Sequence, residues 1–257
     1  MRVLIGIPTA GSPTAPFLAA LRELQVPPQI TSLERLVWSG NFVPGQREMI
    51  AREAVRRDDD LLVMFDDDVV PPPDTLARLL SALADAPRAA VAGALYYSRD
   101  SARPMAVTRW RSTDTTTAAI PAFRDGEVVS VDGVGFGCVA LRVEALRALD
   151  IPYFATHIFI DTASRSVRQC DEDYLYCERV RTAGWQVLLH AGIRLPHYDR
   201  GTQKTAPERW ETDAETGRQR MIVREGDAVR LVAFDDRVPR VQERQQPFPA
   251  TYLLGSD

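Results

Sequence analysis

The 257-residue sequence has few of the features that are typical of secreted, membrane or zinc-binding proteins. It has only 3 cysteines and no Cys-x-x-Cys pair, which argues against a disulfide framework or a zinc site. No apolar run approaches the roughly 18 residues of a membrane span, and the first run, residues 3–7, is too short for a signal peptide. A net charge of −4 gives no general electrostatic reason to bind nucleic acid or an anionic membrane. We therefore expect a soluble, cytoplasmic protein with one large domain.

Two triple-aspartate clusters, residues 58–60 and 66–68, bracket one apolar run, residues 61–65. The run predicts a buried strand, and open α/β sheets bind ligands outside the carboxyl ends of their strands. The first cluster lies at the amino end, which predicts only a solvated helix-to-strand turn. The second lies at the carboxyl end, where Asp66 and Asp68 leave an extended chain on the same face. Two convergent carboxylates there predict a hard-oxygen site for Mg²⁺ or Mn²⁺.

Strand-like and helix-like segments alternate through the first half of the chain, which favours an α/β fold with a mostly parallel sheet. The predicted strands are residues 3–7, 36–38, 61–65, 89–94, 128–131, 138–141, 185–189 and 229–234. The predicted helices are residues 17–24, 44–57, 76–83 with Asp74 as the N-cap, 143–149 and 172–183. Residues 96–124 are polar and weakly periodic, which is typical of a functional loop or a substrate-facing insertion.

In order along the chain, these pieces resemble the GT-A glycosyltransferases, particularly the family-2-like group. The features that carry the resemblance are the strand end Ile7-Pro8-Thr9, an Arg47-bearing helix, the Asp66-Asp67-Asp68 strand tip, a Gly-rich segment before a strand, and Glu172-Asp173 opening a helix that ends Ala183-Gly184-Trp185. The resemblance implies a GT-A (Rossmann-like) sheet, mixed but mostly parallel and flanked by helices. Residues 1–200 would form the catalytic domain, and residues 201–257 an extension packing on or near the active site.

The implied activity is metal-dependent transfer of a sugar from a nucleotide-diphosphate-sugar to an acceptor hydroxyl, with inversion. Family frequency favours UDP-sugars as donors. Negative charge builds on the leaving diphosphate, and a bound Mn²⁺ or Mg²⁺ stabilises that charge. By resemblance Asp68 is a metal ligand, Asp66 faces the ribose or the metal, and Asp67 is a possible substitute. His197 follows the last sheet strand, where several GT-A enzymes place a third metal ligand.

The general base is expected among the acids that open the predicted helix at residue 172. An inverting transfer needs one base opposite the leaving group, and in the family the Asp of the Glu-Asp pair has this role. Asp173 is therefore the predicted base, with Glu172 and Asp171 as alternatives. Acids at a helix N-terminus are also favoured by the helix dipole, so a purely structural role is the competing interpretation.

The donor is expected to contact the first strand end, Pro8 and Thr9, and two further groups. Arg47 could pair with donor phosphates, and otherwise is a surface helix arginine. Gly135 could let the donor approach the main chain, with Asp132 nearby for sugar hydroxyls. The alternative interpretation is that the alternating glycines, Gly133, Gly135 and Gly137, are present because a turn requires them. Aromatic residues that could stack on sugar or base, but are more often core, are Tyr96, Tyr97 and Trp110.

The sequence does not identify the acceptor and leaves it open among a saccharide, a lipid-linked molecule, a small molecule and a modified nucleic acid. Arginines of the polar insertion fit an anionic acceptor; they are Arg99, Arg103, Arg109 and Arg111.

His190 is expected to be structural.

Three other classes compete with this assignment. A haloacid-dehalogenase-like phosphatase would use Asp66 as nucleophile and Asp68 as acid/base. It also needs a lysine before the final acidic pair, and the only lysine, Lys204, follows Asp173. A sugar-phosphate nucleotidylyltransferase needs a Gly-rich, Arg-containing first loop, which residues 8–13 lack. A non-catalytic module that binds nucleotides or sugars would bind donor without turnover.

Overall fold

The computed structural model describes the backbone of residues 1–97, 104–113, 118–119, 121–161, 166–206, 209–212, 219–225 and 228–233. The helices are α1 (Ala15–Glu23), α2 (Val43–Arg56), α3 (Thr75–Asp85), α4 (Val143–Arg147) and α5 (Glu172–Thr182). The strands of the first part are β1 (Arg2–Thr9), β2 (Ser32–Ser39), β3 (Leu61–Phe65), β4 (Ala89–Leu95), β5 (Ala106–Val107), β6 (Val128–Val131), β7 (Gly133–Val134) and β8 (Cys138–Arg142). Those that follow are β9 (His157–Asp161), β10 (Ser166–Cys170), β11 (Gln186–Arg194), β12 (His197–Asp199), β13 (Lys204–Ala206), β14 (Arg209–Thr212), β15 (Gln219–Glu225) and β16 (Ala228–Ala233).

The described residues build a seven-stranded central sheet in the order β2-β1-β3-β8-β4-β11-β6. β1 pairs in parallel with β2 and β3, and β4 pairs in parallel with β11. β8 runs antiparallel between β3 and β4, and β6 runs antiparallel to β11 at one edge. The prediction of a mixed, mostly parallel sheet flanked by helices is confirmed.

Strand alternation divides the core into two layers. Side chains of β1 such as Val3 and Ile5 point to one face with the apolar sides of α1 and α3, while Leu4 points to the other with α2, α4 and α5. Because helices cover both faces, every residue of β3 is buried. The predicted i, i+3, i+4, i+7 pattern of α3 is confirmed, since all four of its leucines are buried: Leu76, Leu79, Leu80 and Leu83.

Two local expectations at helix ends are confirmed only in part, since Asp74 is the N-cap residue of α3 and two residues of the first aspartate cluster are exposed. Asp74 precedes α3 but makes no side-chain capping bond, and its carboxylate instead lies 2.7 Å from Arg78 Nη2. In the first aspartate cluster only part is solvated. Asp58 is exposed, but Asp59 is 2% exposed and its carboxylate lies 3.1 Å from Arg57 Nε. A buried carboxylate needs a partner, which the end of α2 provides.

Short strands outside the central sheet form small sheets of their own, some of them in the C-terminal part. β9 pairs with β10 and β12 pairs with β13, each in antiparallel fashion. β14, β15 and β16 form an antiparallel sheet, of which only the last strand was predicted, and Phe234 lies outside the described residues. The boundary at residue 200 stays a prediction. In the described part of the chain no helix has the length and apolar character of a membrane span.

Candidate functional site

The strand order locates a crevice at the carboxyl ends of β1 and β3. From β1 the chain moves outward to β2 on one side and then returns to β3 on the other. Such a reversal between neighbouring parallel strands is where α/β sheets bind ligands. Thr9 ends β1, and residues 66–68 follow β3 directly. The sequence therefore places its second aspartate cluster at the topological switch point.

Arg47 joins this cluster to the acids that open α5. Arg47 is 5% exposed, and its guanidinium lies 2.7 Å from Asp66 Oδ1 through Nη2 and donates through Nη1 to Glu172. It also lies over the Phe136 ring, 5.7 Å from the centroid. Burial lowers the pKa of Arg47, but the nearby carboxylates outweigh it and the pKa is raised. A buried cation between two anions thus holds two distant parts of the chain together; its pairing with donor phosphates stays a prediction.

Asp66 is held in place by that cation. Burial raises the pKa of Asp66, the Arg47 guanidinium opposes the rise, and the charge of Asp68 adds to it. The fixed carboxylate is compatible with either predicted contact, to ribose or to metal, and both stay predictions.

Asp68 and His197 meet, as the resemblance implied. His197 Nε2 lies 3.2 Å from Asp68 Oδ1, and both side chains are largely buried. The backbone fixes this pair, because Val69 forms a β-bridge with His197 and the Tyr198 amide donates to the Asp68 carbonyl over 2.7 Å.

The geometry of this pair is compatible with either a proton or a metal ion between the two side chains. His197 Nδ1 lies 3.2 Å from the Tyr97 carbonyl oxygen, which can only accept, so Nδ1 carries a proton. In the neutral ring Nε2 then directs a lone pair at the Asp68 carboxylate. That contact is repulsive unless a proton or a metal ion lies between them, and a backbone carbonyl on the other ring nitrogen is typical of metal-binding histidines. Among the described residues no group of three or more His, Cys, Asp or Glu side chains is arranged to hold a metal, so the predicted ligands Asp66, Asp68 and His197 do not form such a group, and metal binding stays a prediction.

Asp67 has different partners. Its carboxylate accepts from the Thr9 hydroxyl and lies 2.7 Å from Arg200 Nη2, and its carbonyl accepts from the Thr14 amide over 2.9 Å. Sequence reasoning missed Arg200, because a single arginine after a short strand has no periodic or motif signal. The predicted contacts of Pro8, Thr9 and Asp67 with a donor stay predictions.

Asp173 is the most perturbed acid at the start of α5. It is 6% exposed, and burial together with the charge of Glu172 raises the pKa of Asp173 to about 7. Its Oδ1 accepts from the Tyr174 amide over 2.7 Å. Glu172 is committed to Arg47, and Asp171 accepts from Gln169 over 3.0 Å. Asp171 and Asp173 each accept one hydrogen bond, and Asp173 differs from Asp171 in being buried; its role as the base stays a prediction.

The alternating glycines pack against tyrosines. A Cβ at Gly135 would lie 2.2 Å from the Tyr96 hydroxyl, and one at Gly133 would lie 2.5 Å from the Tyr174 ring. The Gly137 amide donates to the Tyr96 hydroxyl over 3.2 Å. None of these glycines has a positive φ, although Gly137 lies in a turn with Phe136. Close packing explains their small size, and a role of Gly135 in donor binding stays a prediction.

The polar insertion is attached to α5. Asp132 accepts from the Trp110 amide over 3.1 Å and from Arg181 over 2.9 Å. Trp110, like Tyr96 and Tyr97, is buried, as expected for core aromatics. Arg109 and Arg111 are exposed on either side of it, and residues 99 and 103 lie outside the described residues.

His190 has the local role expected of a structural histidine. Its Nδ1 accepts from the Gly192 amide over 3.2 Å, and burial lowers the pKa of its imidazole.

Comparison with known proteins agrees with the observed fold. Residues 23–221 match the profile of glycosyltransferase like family 2. The fold is similar to that of A197 from STIV, with 20% identity, a TM-score of 0.56, and coverage of 80% of this chain and 93% of that chain. It is also similar to GalNAc-T7, solved with UDP, GalNAc and Mn²⁺, with 11% identity, a TM-score of 0.53, and coverage of 77% of this chain and 44% of that chain. A search of curated proteins finds no match.

The family match covers most of the sheet and both acidic clusters, and it gives no support to the phosphatase and nucleotidylyltransferase hypotheses. The strand order and the flanking helices agree with it independently. This chain belongs to the glycosyltransferase like family 2 and has the GT-A fold.

Proposed function

We propose that the protein transfers a sugar, with inversion, from a nucleoside-diphosphate donor to an acceptor hydroxyl, with Mn²⁺ or Mg²⁺ held at Asp68 and His197. The observation that carries the proposal is the Asp68–His197 contact of 3.2 Å beside the buried Arg47 ion pairs. It combines a site for a cation with a fixed set of carboxylates at the switch point of the sheet. GalNAc-T7, solved with UDP and Mn²⁺, shares the fold and supports UDP as the first donor to test.

The side chains that the protein provides as ligands suit the cation. One carboxylate and one imidazole, oriented by a backbone carbonyl, suit Mn²⁺ and leave coordination positions for other ligands. When bound, the cation supplies Lewis-acid stabilisation of the diphosphate as it leaves. Asp66, fixed by Arg47, is assigned to the ribose side, while Pro8, Thr9 and Asp67 close the crevice on the β1 side. Gly135 is assigned to the sugar side.

Asp173 is assigned as the general base. It takes the proton of the acceptor hydroxyl while the acceptor oxygen bonds to the anomeric carbon. The bond from that carbon to the phosphate oxygen breaks, and its electron pair stays on the diphosphate. A single displacement opposite the leaving group inverts the anomeric configuration. A pKa near the working pH is what such a base requires, and burial raises that of Asp173 to about 7.

Calorimetry with UDP, with and without Mn²⁺, tests the metal site. Wild type should bind UDP only with metal, and Asp68→Ala should lose that dependence while its circular dichroism is unchanged. Asp60→Ala is the matched control, because Asp60 lies exposed at the opposite end of β3. Metal-independent binding that is equal in wild type and Asp68→Ala would remove Asp68 from this role. Metal-dependent binding without transfer to any acceptor would favour the non-catalytic module.

A further inference from the structure

The crevice carries more negative than positive charge. Four carboxylates surround it, Asp66, Asp67, Asp68 and Glu172, in addition to Asp173. Arg47 is buried, and both of its terminal nitrogens already contact carboxylates. A donor diphosphate would add further negative charge. An accessible cation beside the metal site would therefore favour binding of the donor.

Arg200 is such a cation. Its Nη2 lies 2.7 Å from Asp67 Oδ2, its Nη1 donates to the Ser12 carbonyl over 2.8 Å, and its side chain is 46% exposed. Of the two arginines that contact the 66–68 tip in the described residues, it is therefore the one that solvent reaches.

The backbone beneath Arg200 is tied to the same tip. The Tyr198 amide donates to the Asp68 carbonyl over 2.7 Å, and the Val70 amide donates to the Pro196 carbonyl over 2.9 Å. The two neighbours of Arg200 also contact each other: Asp199 Oδ1 accepts from the Gly201 amide over 2.7 Å and closes a tight turn. The guanidinium is thus placed at the crevice by a fixed main chain, while its long side chain can change partners.

A change of partner leaves no group unpaired. Asp67 keeps the Thr9 hydroxyl when Arg200 moves away, and the Ser12 carbonyl contact can persist through the other nitrogen. A phosphate oxygen is a charged acceptor of the same kind as the carboxylate that Arg200 releases. We infer that Arg200 binds the diphosphate of the donor and that its contact with Asp67 is the resting position of the free enzyme. This inference rests on the proposed function, to which it adds a residue.

Binding measurements that separate phosphate from nucleoside test the inference. Uridine and UDP would be titrated by calorimetry in the presence of Mn²⁺ into wild type and Arg200→Gln. Loss of one charged hydrogen bond should weaken UDP binding about 10- to 100-fold and leave uridine binding unchanged. Arg147→Gln is the control, because Arg147 pairs with Asp58 at the other end of the sheet and its side chain is similarly exposed, 41% against 46%.

Each outcome decides the role of Arg200. Equal loss of uridine and UDP affinity means that Arg200 only fastens the turn to Asp67, and it overturns the inference. Metal-dependent UDP binding that is equal in wild type and Arg200→Gln also overturns it, while leaving the proposed function intact. If wild type binds neither UDP nor GDP with metal, the proposed function fails and the inference fails with it. Thermal unfolding of both variants shows whether each one is folded.

Discussion

Asp173→Asn tests the electrostatics of the active-site edge, because it changes charge and hardly changes shape. In the folded protein, burial and then the charge of Glu172 raise the pKa of Asp173 to about 7. A solvated aspartate in the unfolded chain titrates near about 3.9. Between about pH 4 and about pH 7 the folded state therefore holds a proton that the unfolded state has released. The resulting stability is fully present below about pH 4 and is lost as the pH rises through about 7.

The size of this effect follows from the two pKa values. A group that titrates at about 7 when folded and at about 3.9 when unfolded contributes roughly 3 kcal/mol to the free energy of unfolding at pH 5, and almost nothing at pH 8. Asparagine does not titrate and removes this dependence. The free energy of unfolding of Asp173→Asn, relative to wild type, should therefore be roughly 3 kcal/mol more favourable at pH 8 than at pH 5. Any pH-independent effect of the amide cancels in this comparison.

Urea unfolding at the two pH values, followed by circular dichroism, measures this difference. Asp74→Asn is the control, because Asp74 also lies at the N-terminal end of a helix but its side chain is 42% exposed and pairs only at the surface. The control should show the same small difference from wild type at both pH values. If Asp173→Asn also differs from wild type by the same amount at both, its carboxyl does not have the raised pKa, and the electrostatic argument for it as the base is wrong.

The same Asp173→Asn variant should keep metal-dependent donor binding but transfer sugar about 10²- to 10⁴-fold more slowly, since an amide cannot take the acceptor proton. Product NMR should show an inverted anomer; retention or near-normal turnover would contradict the base assignment. Gly135→Ala should cost about 1–3 kcal/mol of stability, because its Cβ would lie 2.2 Å from the Tyr96 hydroxyl. Gly11→Ala is the control in thermal unfolding, because no atom lies within 4 Å of the added Cβ. Equal melting temperatures for Gly135→Ala and Gly11→Ala would refute the packing account.

Elements with one strong local pattern were predictable from the sequence. The leucine spacing of α3 and the all-apolar run of β3 both reflect burial against the central sheet, and both were predicted closely. β2 was predicted as only three residues, because it is an edge strand whose side chains are mostly half-buried or exposed. The short strands β9 and β10 lie outside the central sheet, and no local pattern predicted them.

The site was predictable in its parts and less so in its contacts. Asp68 and His197 were paired through the family resemblance, and the structure places them 3.2 Å apart. The contacts of Arg47 with Asp66 and Glu172 join residues far apart in the chain, so no spacing in the sequence indicates them. The raised pKa of Asp173 depends on burial in the assembled fold, which the helix pattern of α5 does not contain.

The antiparallel strand β8 also has a consequence for synthesis on the ribosome. β3 is buried on both faces and needs β8 along one edge, yet β8 ends at Arg142, about 80 residues after β3 is made. At roughly 5–20 residues per second the nascent chain spends roughly 4–16 s with that apolar edge unpaired. An unpaired apolar strand is a template for association with other chains. Expression at lower ribosome density, or with a chaperone that holds nascent chains, should therefore raise the yield of this protein. The gain should exceed that from a substitution that stabilises only the completed fold.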